Sequence, residues 1–354
     1  MSFIVVIGII IFVHEFGHFI AAKMSGVRVE IFSLGFPPKL IGKKVGETEY
    51  TIGCVPLGGF VKMSGMADES FKEDFDPHDP RGFMAQSFWR KVFIITAGVV
   101  MNVLLGWLIY SAVTYYEGLG RMTGTTVTLV NPDYPAAAAG LEVGDKVVEV
   151  AGEKIDHWQQ LTDLIRQHPG DTITLRWLRG DSLISTEIVP KATPEFNIAT
   201  GKVDTVGKIG VVGTIFSEPV GPLGALGYGA VQVWWIMRLN VVSVFALVSG
   251  TASLKELTGP LGIAKMSGES ARSGFVSFLA FIALISISIA FLNILPIPML
   301  DGGHLLFIIL EKIIRRTIPE KVKLNLMKIG LALLILLVIV VSYNDILKFY
   351  FTGN

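Results

Sequence analysis

The sequence is poor in charge and has a single cysteine. Charged residues make up 17% of the 354, and 30 Lys and Arg are balanced by 30 Asp and Glu. This balance excludes a nucleic-acid-binding chain, which would need a basic excess, and a disordered chain, which would be strongly polar. It also disfavours an ordinary soluble enzyme, in which about a quarter of the residues are charged. The lone Cys54 excludes an internal disulfide and any metal site with two or more cysteine ligands.

Long apolar runs take the place of the missing charge. A helix needs about 20 mostly apolar residues to cross a bilayer. Runs of that length lie at residues 3–22, 92–113, 275–300 and 324–344. The first is interrupted only by His14, Glu15 and His18. The sequence therefore predicts a polytopic α-helical membrane protein with four transmembrane helices.

Basic residues predict the orientation of these helices. They cluster between the first and second runs and again between the third and fourth, as they do in cytoplasmic loops. Both termini and the long segment 114–274 are then expected outside the cytoplasm. A fifth apolar run, 229–250, contains Arg238 and Asn240, which would be costly in lipid. We expect it to form an amphipathic or half-buried helix along the outer surface of the membrane.

The segment between the second and third runs has the pattern of a folded insert. Stretches rich in β-branched residues at 125–130, 171–177 and 183–189 predict strands, and 157–168 has apolar residues at helical spacing. The run YPAAAAGLEVGDKVVEVAGEKI, residues 134–155, resembles the core of a PDZ domain. PDZ domains bind an extended peptide at a sheet edge. A spacer that only shields what lies beneath it is an equal alternative.

The first run contains His14-Glu15-Phe16-Gly17-His18, the pattern H-E-x-x-H. Residues i and i+4 of a helix share a face, so both imidazoles can hold one Zn²⁺ with Glu15 beside it. A third protein ligand would leave one position open to water, and the carboxylate could take a proton from that water. The alternative is a pair of satisfied histidines on an ordinary helix. Ionisable residues within a membrane span are costly, however, and indicate function.

Asp301 is the leading candidate for the third ligand. It lies in N-I-L-P-I-P-M-L-D-G-G-H, residues 293–304, where two prolines interrupt the third run. His304 is the second candidate, and helix capping by Asp301 is the alternative. A shared metal site needs Asp301 and the histidine pair at one depth in a bilayer core about 30 Å thick. Under the predicted orientation, that condition holds only if 229–250 does not span the membrane.

Together these motifs resemble the site-2 protease family of intramembrane zinc metalloproteases, and within it the bacterial regulator-of-sigma-E branch in a single-PDZ form. The H-E-F-G-H motif in a first span, N-x-x-P-x-P-x-L-D-G-G in a late span and the PDZ-like insert carry the resemblance. FSLGFPPKL and PLGGFVKM resemble the family's membrane-reentrant β-hairpin, and TAGVVMN resembles its second-span motif. LTGPLGIAKMSGESA resembles its segment before the third span. Val99 and Pro37 depart from the family pattern, which has proline and glycine there.

The resemblance implies an arrangement of the chain in four parts. Residues 1–113 would hold transmembrane helices 1 and 2 with the reentrant β-hairpin, and 114–195 would form the α+β PDZ-like extracytoplasmic domain. Residues 196–274 would be a linker and the helix on the membrane surface. Residues 275–354 would hold transmembrane helices 3 and 4 with the L-D-G motif.

The resemblance also implies roles for single residues. His14, His18 and Asp301 would bind Zn²⁺, and Glu15 would be the general base. The hairpin would present an edge strand to an unwound substrate through Val55, Pro56, Leu57, Gly58, Gly59, Phe60 and Val61.

Two asparagines of the matching motifs complete this expected site. By the same resemblance, Asn293 would contact the substrate backbone or the tetrahedral intermediate, and Asn102 would help to line the cleft. Both lie in apolar runs that are expected to cross the membrane. The implied reaction is hydrolysis of peptide bonds within or near transmembrane segments.

Partners and location follow from the resemblance as well. Substrates would be single-span membrane proteins, such as anti-sigma factors, and remnant signal peptides. A site-1 protease would cut the same substrate first, because the insert would exclude bulky outer domains. The chain would cross the lipid bilayer of a bacterial inner membrane several times. Its termini and its PDZ-like domain would be extracytoplasmic, with the metal site in the cytoplasmic half.

Overall fold

The structure, a computed structural model, describes residues 1–66, 79–197, 202–253 and 257–351. The helices are α1 (Ser2–Met24), α2 (Phe88–Glu117), α3 (Pro135–Ala138), α4 (Trp158–Arg166), α5 (Pro222–Val248), α6 (Pro260–Arg272), α7 (Phe275–Ile294), α8 (Asp301–Ile314) and α9 (Glu320–Phe351). The strands are β1 (Val29–Val45), β2 (Thr48–Met63), β3 (Leu119–Val130), β4 (Lys146–Val150), β5 (Glu153–Lys154), β6 (Ile173–Arg179), β7 (Ser182–Ile188), β8 (Lys191–Asn197), β9 (Lys202–Lys208) and β10 (Val211–Glu218). The chain divides into two compact units, the first made of Met1–Val113, Leu226–Val241 and Ala252–Asn354, the second of Thr114–Ala225 and Val242–Thr251.

Among the described residues, five helices are long and apolar enough to cross a membrane, namely α1, α2, α5, α7 and α9. They correspond to the four predicted runs and the fifth run at 229–250, although α7 ends at Ile294, before the end of the third run. Several apolar helices of this length confirm the α-helical membrane class. Length and composition do not separate α5 from the others, so the number of four transmembrane helices stays a prediction.

Two polar residues of α5, Arg238 and Asn240, have partners within the first unit. The Arg238 guanidinium lies over the rings of Trp234 and Trp235, 5.5 and 5.3 Å from their centroids. The Asn240 amide donates to Ser288 Oγ in α7 at 3.4 Å. Such contacts reduce the cost of placing these groups near lipid.

The helix is interrupted where the third apolar run was expected to break. Helix α7 ends at Ile294, α8 begins at Asp301, and the backbone between them is not helical. A side chain at Gly302 would collide with the carbonyl oxygen of Ile294, and one at Gly303 would collide with Pro298. The two glycines therefore let α8 pack directly on the non-helical segment, which fixes the position of Asp301.

Helices α1 and α7 run in the same direction. Ile10 of α1 shares a buried cluster with Ile282 of α7. Further along both helices, His14 meets Asn293, with Asn293 Nδ2 3.3 Å from His14 Nε2. Residue numbers therefore rise together along the two helices.

Helix α2 runs the opposite way. Its Asn102 lies beside His14, level with the end of α7. Eight residues later, Tyr110 donates from its hydroxyl to the carbonyl oxygen of Ala280 at 3.1 Å, near the start of α7. Helix α2 is thus antiparallel to both α1 and α7.

Strands β1 and β2 fold into a compact antiparallel sheet. Residues 31–34 of β1 pair with 49–52 of β2 on one side and with 59–62 of β2 on the other. The first half of β1 is therefore central, and the last part of β2 lies at an edge. No other strand in the described ranges pairs with that edge.

The second unit contains an α+β fold. Its main antiparallel sheet has the order β10-β3-β4-β6-β7 with β5 beside β4, and β8 and β9 form a separate hairpin. Leu161 and Ile165 of α4 are buried in one core with Val147, Leu175 and Trp177 of the sheet. The strands and the helix that were expected from the sequence of this region are present.

The linker predicted at the start of 196–274 is wrong over β9 and β10. Strand β10 pairs with β3 at the edge of the main sheet. The glycines that suggested a linker are packing positions, since side chains at Gly207, Gly210 and Gly213 would each collide with a neighbour. Gly213, for example, lies against the ring of Trp158. Glycine here permits close contact rather than flexibility.

A buried carboxylate holds α6 to α9. Asp345 in α9 is 2% exposed, and its oxygens accept from the backbone N–H groups of Gly259 and Gly262 at 3.1 and 2.8 Å. Negative charge at a helix N-terminus is favoured by the helix dipole. A side chain at Gly259 would lie 2.7 Å from Asp345 Oδ2, so this contact explains the glycines of LTGPLG.

Asp145 closes the Gly-Leu-x-x-Gly-Asp turn of the second unit. Its carboxylate accepts from the backbone N–H of Glu142 at 2.8 Å and from Arg179 at 2.9 and 2.8 Å. The Arg179 guanidinium lowers the pKa of Asp145. Because the folded pKa lies below the unfolded one, this clamp stabilises the unit above the ordinary aspartate pKa. The stabilisation is lost as the pH falls through the folded value.

We expect Asp145→Asn to destabilise the second unit by about 2 kcal/mol at neutral pH, because it removes charge-assisted hydrogen bonds to a buried carboxylate. Glu149→Gln is the matched control, since it removes the part-exposed pair with Arg176, which is 3.1 Å long and worth less than about 1 kcal/mol. Hydrogen exchange of the β4 and β6 amides in the full chain measures both effects. Equal exchange rates in the two variants would contradict the assignment.

Candidate metal centre

The histidine pair occupies one face of α1 and is buried. His14 and His18 lie one helical turn apart, with ring centroids separated by 4.8 Å. Asp301, the first residue of α8, meets them. Its Oδ2 lies 3.1 Å from Nε2 of His14 and 3.4 Å from Nε2 of His18, and the two nitrogens are 3.2 Å apart. The structure thus brings together the three ligands that the sequence suggested.

The three atoms have the spacing of metal ligands. Asp301 Oδ2 is buried and accepts no hydrogen bond, although two imidazole nitrogens lie close to it. Nitrogen and oxygen ligands placed about 2.0–2.1 Å from a tetrahedral Zn²⁺ would stand roughly 3.3 Å from one another. The observed separations of 3.1 to 3.4 Å match that triangle. The residues present therefore fit Zn²⁺.

The second ring nitrogen of His18 has a backbone partner. His18 Nδ1 lies 2.8 Å from the carbonyl oxygen of Ile94 in α2. A carbonyl only accepts, so Nδ1 carries the proton and Nε2 keeps its lone pair for a metal. The sequence could not predict this partner, because a residue of any type at position 94 would carry the same backbone carbonyl.

Two glycines bring α1 and α2 close enough for this contact. A Cβ at Gly17 would lie 2.5 Å from the carbonyl oxygen of Ala97, and one at Gly98 would lie 2.8 Å from His14 Cε1. Any larger residue at either position would push the helices apart. The glycines of H-E-F-G-H and T-A-G are therefore part of the site. In the sequence, only their position in these two motifs indicated such a role.

Glu15 opens onto a cavity of about 790 Å³ that the ligand triangle also borders. The cavity is lined by His14, Glu15, His18, Gly58, Gly59, Phe60, Val61, Asn102, Asn293, Asp301 and His304, among others. A Cβ at Gly59 would lie 3.2 Å from Glu15 Cγ and 2.8 Å from the carbonyl oxygen of Ser33. Strand β2 therefore passes next to the carboxylate, and glycine allows it to do so.

The edge strand reaches the cavity over part of its predicted length. Gly58, Gly59, Phe60 and Val61 line the cavity. Val55 belongs to the same strand but does not line it. Pro56 and Leu57 lie between them in β2.

His304 lines the cavity but is not part of the ligand cluster. Among the described residues, the group of side chains close enough to share a metal ion consists of His14, His18 and Asp301. His304 follows Asp301 by one turn of α8 and faces the same space. Asp301 is therefore the third ligand that the geometry favours. The N-cap residue of α8 is Leu300, so Asp301 is the first residue within the helix and not its N-cap.

Comparison with known proteins identifies similar sequences over nearly the whole chain. The profile of the family described as Peptidase family M50 matches residues 2–337. Zinc metalloprotease RasP of Geobacillus kaustophilus is 30% identical over 422 residues, covering 99% of this chain and 98% of that protein. Regulator of sigma-E protease RseP of Escherichia coli is 29% identical over 449 residues, covering 97% of each. The solved PDZ domain of an SdrC-like protein from Listeria monocytogenes has a TM-score of 0.20 and 27% identity, over 28% of this chain and 90% of that domain.

We expect Asp301→Asn to weaken zinc binding by more than about 100-fold, since loss of a ligand exceeds the 10–100-fold effect of outer-shell changes. His304→Asn is the matched control, because it lines the same cavity one turn later and should leave the zinc affinity unchanged. The measurement is competition for zinc between the purified protein and a chelator of known affinity. Weak binding in the His304 variant with normal binding in the Asp301 variant would reverse the assignment.

Proposed function

The chain belongs to peptidase family M50, the site-2 protease family, and from this membership and the site geometry we propose how it cleaves membrane proteins. It is a multi-pass membrane protein and a zinc metalloprotease of regulated intramembrane proteolysis. The observation that supports the detailed proposal is the convergence of His14, His18 and Asp301 beside Glu15 in one cavity. The scissile bonds would lie within or near transmembrane segments of single-span substrates.

His14, His18 and Asp301 would hold the zinc ion, and Glu15 would act as general base. When bound, zinc supplies a Lewis acid that polarises the scissile carbonyl and makes water acidic. The Glu15 carboxylate would take a proton from the attacking water and pass it to the leaving amine. Its place on α1 between the two histidines, facing the cavity, supports this role.

The edge of β2 would bind the unwound substrate. A transmembrane helix hides its carbonyls in hydrogen bonds, and lipid offers the freed groups no partner. Adding the substrate as a strand to the edge that contains Val55–Val61 would satisfy those groups. The cavity lining by Gly58 and Val61 supports this placement.

Asn293 would contact the substrate backbone or the tetrahedral intermediate. Its amide nitrogen lies 3.3 Å from His14 Nε2, so it is adjacent to one of the three ligand atoms. An amide N–H donor in that position could stabilise negative charge that develops on the scissile carbonyl oxygen. This placement between the ligands and the cavity supports the role.

The packing of the first unit supports four transmembrane helices. Because α1 and α7 are parallel, an odd number of crossings must separate them, and α2 supplies one. If α5 also crossed, a further crossing would be needed before α7. We therefore assign the spans to α1, α2, α7 and α9. Helix α5 would lie beside α2 and α7 without crossing the membrane. Residues 31–62 would then form the reentrant hairpin on the cytoplasmic side.

The same topology assigns the sides of the membrane. With the basic loops in the cytoplasm, the termini and the PDZ-like insert, which begins at residue 114 and includes β10, lie outside a bacterial inner membrane. The metal centre lies in the cytoplasmic half. The insert would exclude substrates with bulky outer domains, so a site-1 protease would cut first. Anti-sigma-factor-like proteins and remnant signal peptides are the proposed substrates.

We expect Glu15→Gln to reduce cleavage by about 10³-fold, within the range lost when an acid–base group is removed, while zinc stays bound. Glu30→Gln makes the same chemical change on β1 outside the cavity and should leave cleavage unchanged. Both variants are compared in proteoliposomes with a single-span helical substrate, and their zinc content is measured. Wild-type cleavage by the Glu15 variant would falsify its role as the base.

Single-cysteine labelling tests the proposed topology. In a Cys54→Ser background, we expect Ser182→Cys before α5 and Ser273→Cys after α6 to react with an impermeant maleimide from outside the cell. Thr317→Cys, between α8 and α9, should react only after permeabilisation. Labelling of residues 182 and 273 from opposite sides would mean that α5 crosses the membrane and that the four-span arrangement is wrong.

A further inference from the structure

Asn102 borders the cavity, and its side chain contacts one of the candidate metal ligands. It lies in α2 and is 0% exposed. Its Nδ2 is 3.3 Å from Nδ1 of His14, whereas its Oδ1 is buried without a hydrogen-bond partner. Ser286 donates to the backbone carbonyl of Asn102 at 2.9 Å, which ties this part of α2 to α7. The amide is thus held firmly against one imidazole.

The ligand triangle decides which proton His14 carries. Its Nε2 points at Asp301 and at Nε2 of His18, so Nε2 must keep its lone pair to bind a metal. The neutral ring then has its proton on Nδ1, and that proton needs an acceptor. The two ends of an asparagine amide are nearly isosteric. With the amide of Asn102 turned over, Oδ1 takes the place of Nδ2 beside His14 Nδ1 and accepts this proton.

Helix α2 then provides a hydrogen-bond acceptor for the Nδ1 proton of each histidine. Ile94 accepts the Nδ1 proton of His18 through its backbone carbonyl, and Asn102 stands two turns further along α2 beside His14. Gly98 lies between them with no side chain to displace either ring. Metal-bound histidines usually donate their second N–H to such a partner, which fixes the tautomer and raises ligand basicity.

We propose that Asn102 is a positioning residue, which accepts the Nδ1 proton of His14 and so fixes the tautomer that binds zinc. This inference rests on the proposed zinc centre. It adds to the expectation that Asn102 helps to line the cleft, because Asn102 borders the cavity and its buried amide also contacts an imidazole. The required feature of the residue is an acceptor at the position of Oδ1.

Two substitutions of similar size separate an acceptor from a packing role. Asn102→Leu fills the space without an acceptor, and Asn102→Asp keeps an acceptor. We expect zinc affinity, measured by competition with a chromophoric chelator, to fall about 10–100-fold in the Leu variant and to stay within about threefold of wild type in the Asp variant. Ser286→Ala is the control, because it alters the same α2–α7 contact without touching the imidazole, and it should bind zinc normally.

The cobalt-substituted protein gives a second readout. The visible spectrum of Co²⁺ reports the ligand geometry, and we expect it to change in the Leu variant and to match wild type in the Asp variant. Normal zinc affinity in the Leu variant would overturn the proposal. Weak binding in the Asp variant, from protein that elutes as a single folded species, would also overturn it, even if the Leu variant did not fold. Asp301→Asn tests separately whether the zinc centre exists. The two experiments therefore distinguish an incorrect role for Asn102 from an incorrect proposed function.

Discussion

The site depends on ligand atoms from two separate helices, α1 and α8, meeting at one point. One turn of α1 fixes the spacing of His14 and His18, but Asp301 comes from the far end of the chain. It reaches the pair because α7 runs parallel to α1 and ends at Ile294, just short of the histidines. The parallel course of α1 and α7, the break in the third apolar run and the start of α8 together make this meeting possible.

Close contact between α1 and α2 is the second condition, and glycine provides it. In lipid, helices gain little from burying apolar groups against each other, so small residues that let backbones approach become important. At Gly17 and Gly98 the approach also has a chemical consequence. It brings the Ile94 carbonyl and the Asn102 amide within hydrogen-bonding distance of the imidazoles. The close packing of α1 and α2 therefore also determines the orientation of the two imidazoles.

In the proposed mechanism, the hairpin would bind the backbone of the substrate. Peptide groups released from a helix need partners that lipid cannot supply, and the edge of β2 beside Glu15 would offer them. Glycines again set the distance, since Gly58 lies against the ring of Phe36 and Gly59 against Ser33 and Glu15. The strand that would hold the substrate is thereby kept next to the groups that would cleave it.

The apolar runs, the shared face of His14 and His18, and the break before Asp301 could all be predicted from the sequence. Each is a local pattern of spacing and residue type. The close approach of α1 and α2 at Gly17 and Gly98, and the pairing of β10 with the sheet of the second unit, became apparent only from the tertiary structure. The same is true of the Ile94 carbonyl that faces His18. These features depend on contacts between residues far apart in the chain. They often involve backbone atoms or glycines, and a glycine that permits close packing has the same letter in the sequence as one that marks a linker.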